Sequence, residues 1–205
     1  MRSLTSPLVL ALFVAAGLAA GAAACGDRTG SAGGPRGPGA DPAAGLTAFE
    51  TVRAVLQHPR CANCHPAGDA PLQGDEGRVH NQNVLRGPTG SGMAGAECTT
   101  CHGPANPPAS YGRHTPPGVA IGWHMPPPEM KMVFVGASPR QLCESVRDPA
   151  RNGGKDVAAL REHAKDPLVL WGWQPGFGRA PVSTPYPQFV SAWETWLSAG
   201  MPCPP

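Results

Sequence analysis

Charge, aromatic area and long apolar runs are all scarce in this chain. Charged residues make up only 15% of it and the formal net charge is +2. No basic stripe suits nucleic acid, and no charge block marks a disordered tail. Aromatics are 6%, and beyond residue 24 nothing is apolar for long enough to span a bilayer. What takes their place is Gly (27) and Pro (26), about a quarter of the 205 residues. That share argues against long helices, a large sheet and a conventional enzyme fold. The length allows one domain or two small ones. The unusual components are seven Cys and seven His.

The first 24 residues read as a secretory signal. Arg2 supplies the positive start, Leu8 to Leu18 the apolar stretch, and Ala22, Ala23 and Ala24 the small residues before a cleavage point. Cys25 follows at once, and residues 25–45 are rich in Gly, Ala, Pro and Asp, as in a flexible tether. This layout resembles a bacterial lipoprotein with a lipid on Cys25, although Ala22 stands where such signals usually carry Leu. Plain cleavage after Ala24 is the alternative. On either reading the folded part, residues 46–205, is expected to be exported to the periplasm: with the lipid it is held at a membrane, and with plain cleavage it is soluble there. An oxidising compartment requires each thiol to have a role.

Four thiols fall in two copies of one motif. Cys61-Ala62-Asn63-Cys64-His65 and Cys98-Thr99-Thr100-Cys101-His102 are both C-x-x-C-H, the attachment signature of c-type haem. The spacing has a chemical reason: two thiols form thioethers to the two vinyl groups of one porphyrin, and the adjacent His reaches the iron. A four-Cys zinc site or a redox dithiol can also use C-x-x-C pairs. Neither requires a His directly after both pairs. With Cys25 set aside, Cys143 and Cys203 are left, and in this compartment they are expected to form a disulfide.

Thr47-Ala48-Phe49-Glu50 fits a capping box, and Phe49, Val52 and Leu56 continue at helical spacing, predicting a helix from Thr47 to His58 stopped by Pro59. Residues 66–96 read as loop, and the Pro-laden stretch 103–128 as extended or turning chain. Helices return at Ser138-Pro139, over 156–164 and over 187–199, with Leu142, Cys143, Val146, Leu160, Phe189, Trp193, Trp196 and Leu197 directed inward. The expected fold is mainly α with extensive irregular loops, a small cytochrome c-like domain packed around two covalent haems. The porphyrins are expected to supply apolar surface that so Gly- and Pro-rich a chain lacks.

His65 and His102 are the expected near-side metal ligands. For the far side of each iron, the sequence offers His80, between the motifs, and His124 in Trp123-His124-Met125-Pro126. Met125 and His163 are rivals, and Met93, Met130 and Met132 lie within reach in sequence. His58 and His114 are expected at a helix end and in a loop. A Met ligand raises the reduction potential relative to a second His, so ligand choice can set the two irons apart.

The paired motifs resemble those of di-haem c-type cytochromes, a resemblance that covers residues 61–102. More weakly, His58–Pro66, Arg78–Gly87, Trp123–Pro127 and Asp166–Trp173 look similar to small haem proteins described as isoquinoline 1-oxidoreductase subunits. Those enzymes are molybdenum hydroxylases. The resemblance implies two covalently bound haem c groups and a chain that is not itself an enzyme. It would relay electrons from a redox partner, such as a dehydrogenase or hydroxylase, to a cytochrome acceptor. The alternative is a di-haem peroxidase-like enzyme or haem sensor with one open iron site.

Overall fold

Helix starts explain much of the proline in this chain. The computed structural model describes residues 41–205; the export segment, Cys25 and the tether as far as residue 40 lie outside the described residues. Helix α1 runs Pro42–Leu56, with the Asp41 carboxylate accepting from the Ala43 N–H at 2.9 Å and Pro42 in its first turn. The same Asp-Pro or Ser-Pro start recurs. Ser138 caps α3 (Pro139–Arg147), Asp148 caps α4 (Pro149–Asn152) and Asp166 caps α6 (Pro167–Trp171). His58 does the same for the short α2 (Pro59–Ala62). The acceptor side chain satisfies a free helix N–H while proline presets φ, so these prolines open helices rather than break them.

This start overrides the capping box expected at Thr47. Thr47 lies inside α1, its Oγ1 donating to the Ala43 carbonyl at 3.0 Å, and Glu50 pairs with Arg53 instead. Residues 42–45 are therefore helix rather than tether. The remaining helices are α5 (Val157–His163), capped by Asp156, and α7 (Tyr186–Ser198). Gly200, at φ +80°, turns the chain out of α7. Between α2 and α3 the chain is irregular, apart from single-turn 3₁₀ segments and two antiparallel ribbons. One pairs β1 (Leu72–Gln73) with β2 (Arg78–Val79), Leu72 opposite Val79; the other pairs β3 (Gly92–Met93) with β4 (Ala96–Glu97).

The helices bury a core of their own side chains. Phe49, Val52 and Val55 of α1 meet Leu142 and Val146 of α3, Leu160 of α5, and Phe189, Trp193, Trp196 and Leu197 of α7. Buried indole N–H groups need acceptors. Trp193 Nε1 finds the Leu160 carbonyl at 3.2 Å and Trp196 Nε1 the Pro202 carbonyl at 3.0 Å. Cys143 and Cys203 form a disulfide, as expected, with Cα atoms 5.5 Å apart.

Gly45 marks where α1 meets the chain after α7. A Cβ there would stand 2.5 Å from Ala199 Cβ and 2.7 Å from Pro202 Cγ. Gly45→Ala gains about 1 kcal/mol of helix propensity but overpacks a tight contact at about 1–3 kcal/mol. The packing term is the larger, so thermal denaturation should show the variant to be less stable. A higher midpoint would mean that the crossing yields easily.

Candidate functional site

The two Cys-rich motifs are built alike although they sit on different local structure. In each, the N–H of the second Cys bonds the carbonyl of the first at 3.2 Å, Cys64 to Cys61 and Cys101 to Cys98. The turn continues, with the His65 N–H bonded to Ala62 O and the His102 N–H to Cys98 O, both at 2.9 Å. This tight turn is therefore repeated at both motifs. All four thiols are free, in contrast to the oxidised Cys143–Cys203 pair.

The imidazoles are also held alike. Nδ1 of His65 lies 2.9 Å from the Met132 carbonyl, and Nδ1 of His102 lies 2.8 Å from the Pro117 carbonyl. A carbonyl only accepts, so Nδ1 carries the proton in both rings and the Nε2 lone pair is left available to a metal. Each ring is backed by an aromatic. Phe134 stacks on His65 at 3.9 Å and 7°, and Trp123 on His102 at 4.7 Å and 8°. Met132 adopts φ +48° where it presents its carbonyl, an uncommon geometry for a non-Gly residue.

Burial keeps both rings neutral. It pushes His65 down to about 4, partly offset by the Met132 carbonyl, with the charges of His163 and Arg86 adding to the depression. His102 is lowered for the same first reason, and His80 and Arg179 add to it. A ligand imidazole must be neutral, so the environment favours the binding form. Burial also pushes the Cys61 and Cys64 thiols up to about 12 and about 11. The second motif is more open, and Cys101 is exposed.

His80 is the candidate that the fold brings to a motif. Its ring centroid lies 6.2 Å from that of His102. A metal ion about 2 Å from each of two imidazole nitrogens separates the ring centroids by roughly 6 Å, so the spacing suits an ion shared by the pair. The His80 N–H bonds Pro71 O at 2.9 Å. Its Nδ1 lies 2.7 Å from Asn81 O, leaving Nε2 free here too. Gln82 and Asn83, at φ +63° and +52°, form the strained turn directly after it.

The other candidates are placed less decisively. His124 is exposed, its Nδ1 3.0 Å from Gly122 O. Met125 is buried, its N–H bonded to Gly90 O at 2.9 Å. A side chain at Gly90 would strike Met125 O at 2.0 Å, so glycine is what allows this approach. His163 ends α5, half-exposed, near enough to His65 for its charge to matter there. Met93 is exposed, Met130 packs near Gly153, and Met132 serves through its carbonyl. His58 caps α2 and His114 is exposed.

The chemistry of the donor set suits haem. The donors come as repeated thiol pairs, each with one adjacent imidazole. Among the described residues no three or more His, Cys, Asp or Glu gather as a metal-binding group. Val79, beside His80, and Ile121, near the second motif, are apolar and exposed, as surfaces awaiting an apolar group would be. Two buried guanidinium nitrogens, Arg60 Nε and Arg86 Nε, have no hydrogen-bond partner and are enclosed by the protein itself.

Sequence reading missed several of these parts. Phe134, Arg60 and Arg86 carry no motif, and Trp123 stood out only as a neighbour of His124. Trp171 is buried, packs edge-on against Trp123 at 4.8 Å and donates to Asn106 Oδ1 at 3.0 Å. Among the described residues no helix is long and apolar enough to cross a membrane. No protein-family model, curated protein or solved structure matches this chain.

Proposed function

We propose that the chain is an exported di-haem c-type cytochrome, held at a membrane by a lipid on Cys25. It relays single electrons between a redox enzyme, such as a molybdenum hydroxylase, and another electron carrier. The observation that carries this reading is the duplicated site: two C-x-x-C-H turns with free thiols, each with its imidazole fixed through Nδ1 on a backbone carbonyl and backed by an aromatic ring.

Cys61, Cys64 and His65 would hold one haem, and Cys98, Cys101 and His102 the other. His80, whose ring lies 6.2 Å from that of His102, would be the second imidazole to hold that haem. On the side of His65 the candidates are His124, with Met125 and His163 as rivals. Bound haem supplies an iron that cycles between ferrous and ferric. The chain's own residues orient and insulate it. Met132 and Pro117 keep the proton on Nδ1, Phe134 and Trp123 fix the ring planes, and burial excludes water from His65. No residue is assigned as a general acid or base.

Mass spectrometry and a pyridine haemochrome assay of protein matured with haem should find two haems per chain, and none would overturn the reading. Two low-spin irons that ignore carbon monoxide are expected. A high-spin iron that binds it would favour the open-site alternative, a peroxidase-like enzyme or sensor. His80→Ala should convert one haem, and only one, to a high-spin form that takes carbon monoxide, as read by EPR and optical spectra. His80→Met should raise the potential of that same haem. Unchanged spectra in both variants would remove His80 from the site.

A further inference from the structure

Asn106 reaches both supports of the His102 ring. It lies half-buried on the Pro-rich stretch after the second motif, outside any helix or strand. Its Oδ1 accepts twice, from Gly118 N–H at 3.2 Å and from Trp171 Nε1–H at 3.0 Å. Its Nδ2 donates to Gln174 O at 2.8 Å. Gly118 N–H and Pro117 C=O belong to one planar peptide and point in opposite directions. That carbonyl is the acceptor for His102 Nδ1–H at 2.8 Å. Asn106 therefore grips one end of the peptide whose other end fixes the His102 proton. Its second bond bears on the ring plane: Trp171 packs edge-on against Trp123 at 4.8 Å, and Trp123 stacks on His102 at 4.7 Å. A Cβ on Gly118 would stand 2.3 Å from Ala105 O, so glycine is what lets this peptide close on the segment that carries Asn106.

Hydrogen bonds in a chain polarise one another, so a Gly118 N–H that donates to Asn106 makes Pro117 O the better acceptor for His102. A stronger bond at Nδ1 raises the basicity of the imidazole at Nε2. A more basic ligand favours ferric over ferrous iron. The first motif lacks this grip: among the described residues no side chain accepts from Val133 N–H, which shares its peptide with the Met132 carbonyl bonded to His65. We propose that Asn106 is a positioning residue of the second motif. Acting through the Pro117–Gly118 peptide, it holds the proton on His102 Nδ1, strengthens that bond and lowers the reduction potential of the haem that His102 holds. The inference rests on the haem reading and deepens it.

The test uses haem-loaded full-length protein, isotope-labelled and reduced so that low-spin iron is diamagnetic. Two quantities are read: the exchange rate of the His102 Nδ1 proton by NMR, and both midpoint potentials by spectroelectrochemistry. Asn106→Leu should quicken that exchange roughly tenfold, the scale of one lost hydrogen bond, and raise one potential. The haem that moves should be the one that His80→Met moves, and the other should stay in place. Asn106→Asp keeps an acceptor for Gly118 and Trp171 but cannot donate to Gln174. It should restore slow exchange and a potential at or below that of the unmodified protein. An Asn106 needed only to tie Gln174 would leave Asp as impaired as Leu. An Nδ1 proton or a potential unmoved in haem-loaded Asn106→Leu, or equal impairment of the two variants, would overturn the proposal. If neither variant accumulates, the Gly118 amide of the unmodified protein decides: protection from exchange is expected, and exchange as fast as open chain would overturn the proposal equally. Absence of covalent haem from the unmodified protein is a separate outcome, and it would defeat the haem reading itself.

Discussion

Protein in which Cys61, Cys64, Cys98 and Cys101 are all replaced by Ser is expected to keep its helical half folded and lose order in the rest. The helices bury Phe49, Leu142, Trp193, Trp196 and their neighbours against one another and are tied by the Cys143–Cys203 bond. The chain between α2 and α3 has only two-residue strands and leaves Val79, Leu85, Met93 and Ile121 exposed. Isolated two-stranded ribbons are marginal in water, and regions with few buried contacts open first. Hydrogen exchange should therefore show rapid exchange over residues 66–133 and persistent protection in α1, α3 and α7. The thiols give a second readout in unmodified sequence made without haem. If the first motif stayed buried, Cys61 and Cys64, pushed up to about 12 and about 11, would alkylate far more slowly than exposed Cys101. Similar, fast alkylation of all four is the expected result. Protection of the loops without haem would show that the chain orders itself.

Breaking the Cys143–Cys203 bond should be the largest purely structural loss. The bridge closes a loop of 60 residues in sequence, for which chain-entropy estimates give about 4 kcal/mol of stabilisation. Against a total of about 5–15 kcal/mol for an ordinary domain, that is a substantial share. It also holds the chain after α7, where Pro202 accepts from Trp196 Nε1 and packs at Gly45. Cys143→Ala with Cys203→Ala, compared with the oxidised parent by denaturant unfolding, should show the difference. A loss below about 1 kcal/mol would mean that packing alone holds the tail.

Much of the helical half was legible in the sequence because its signals are local. Ser138-Pro139 caps α3, Asp156 caps α5, and the apolar spacing of Phe189, Trp193, Trp196 and Leu197 matches the buried face of α7. The early start of α1 was hidden because Asp41-Pro42 lies in a stretch whose composition reads as tether. The short α4 and α6 were hidden because four or five residues carry no periodicity. At the candidate site, C-x-x-C-H named six residues outright. The carbonyls of Met132 and Pro117 and the stacking of Phe134 and Trp123 are long-range relations between irregular segments, for which sequence has no period. His80 and His163 look alike in the sequence, and only the fold separates them, bringing one ring beside His102 and the other to the end of α5.

The pairing of α1 with α7 also sets an order of events in time. Phe49 meets Trp196 with ring centroids 5.2 Å apart, and Gly45 meets Ala199, across roughly 150 intervening residues whose closure entropy precedes any gain from the contact. Contacts this distant form late and slowly. During synthesis, the chain carrying both motifs emerges well before α7 exists to meet α1. The thiols at 61, 64, 98 and 101 therefore pass through an interval in which the helical clasp is still open, and covalent modification of those turns has a natural window that shuts when α7 docks.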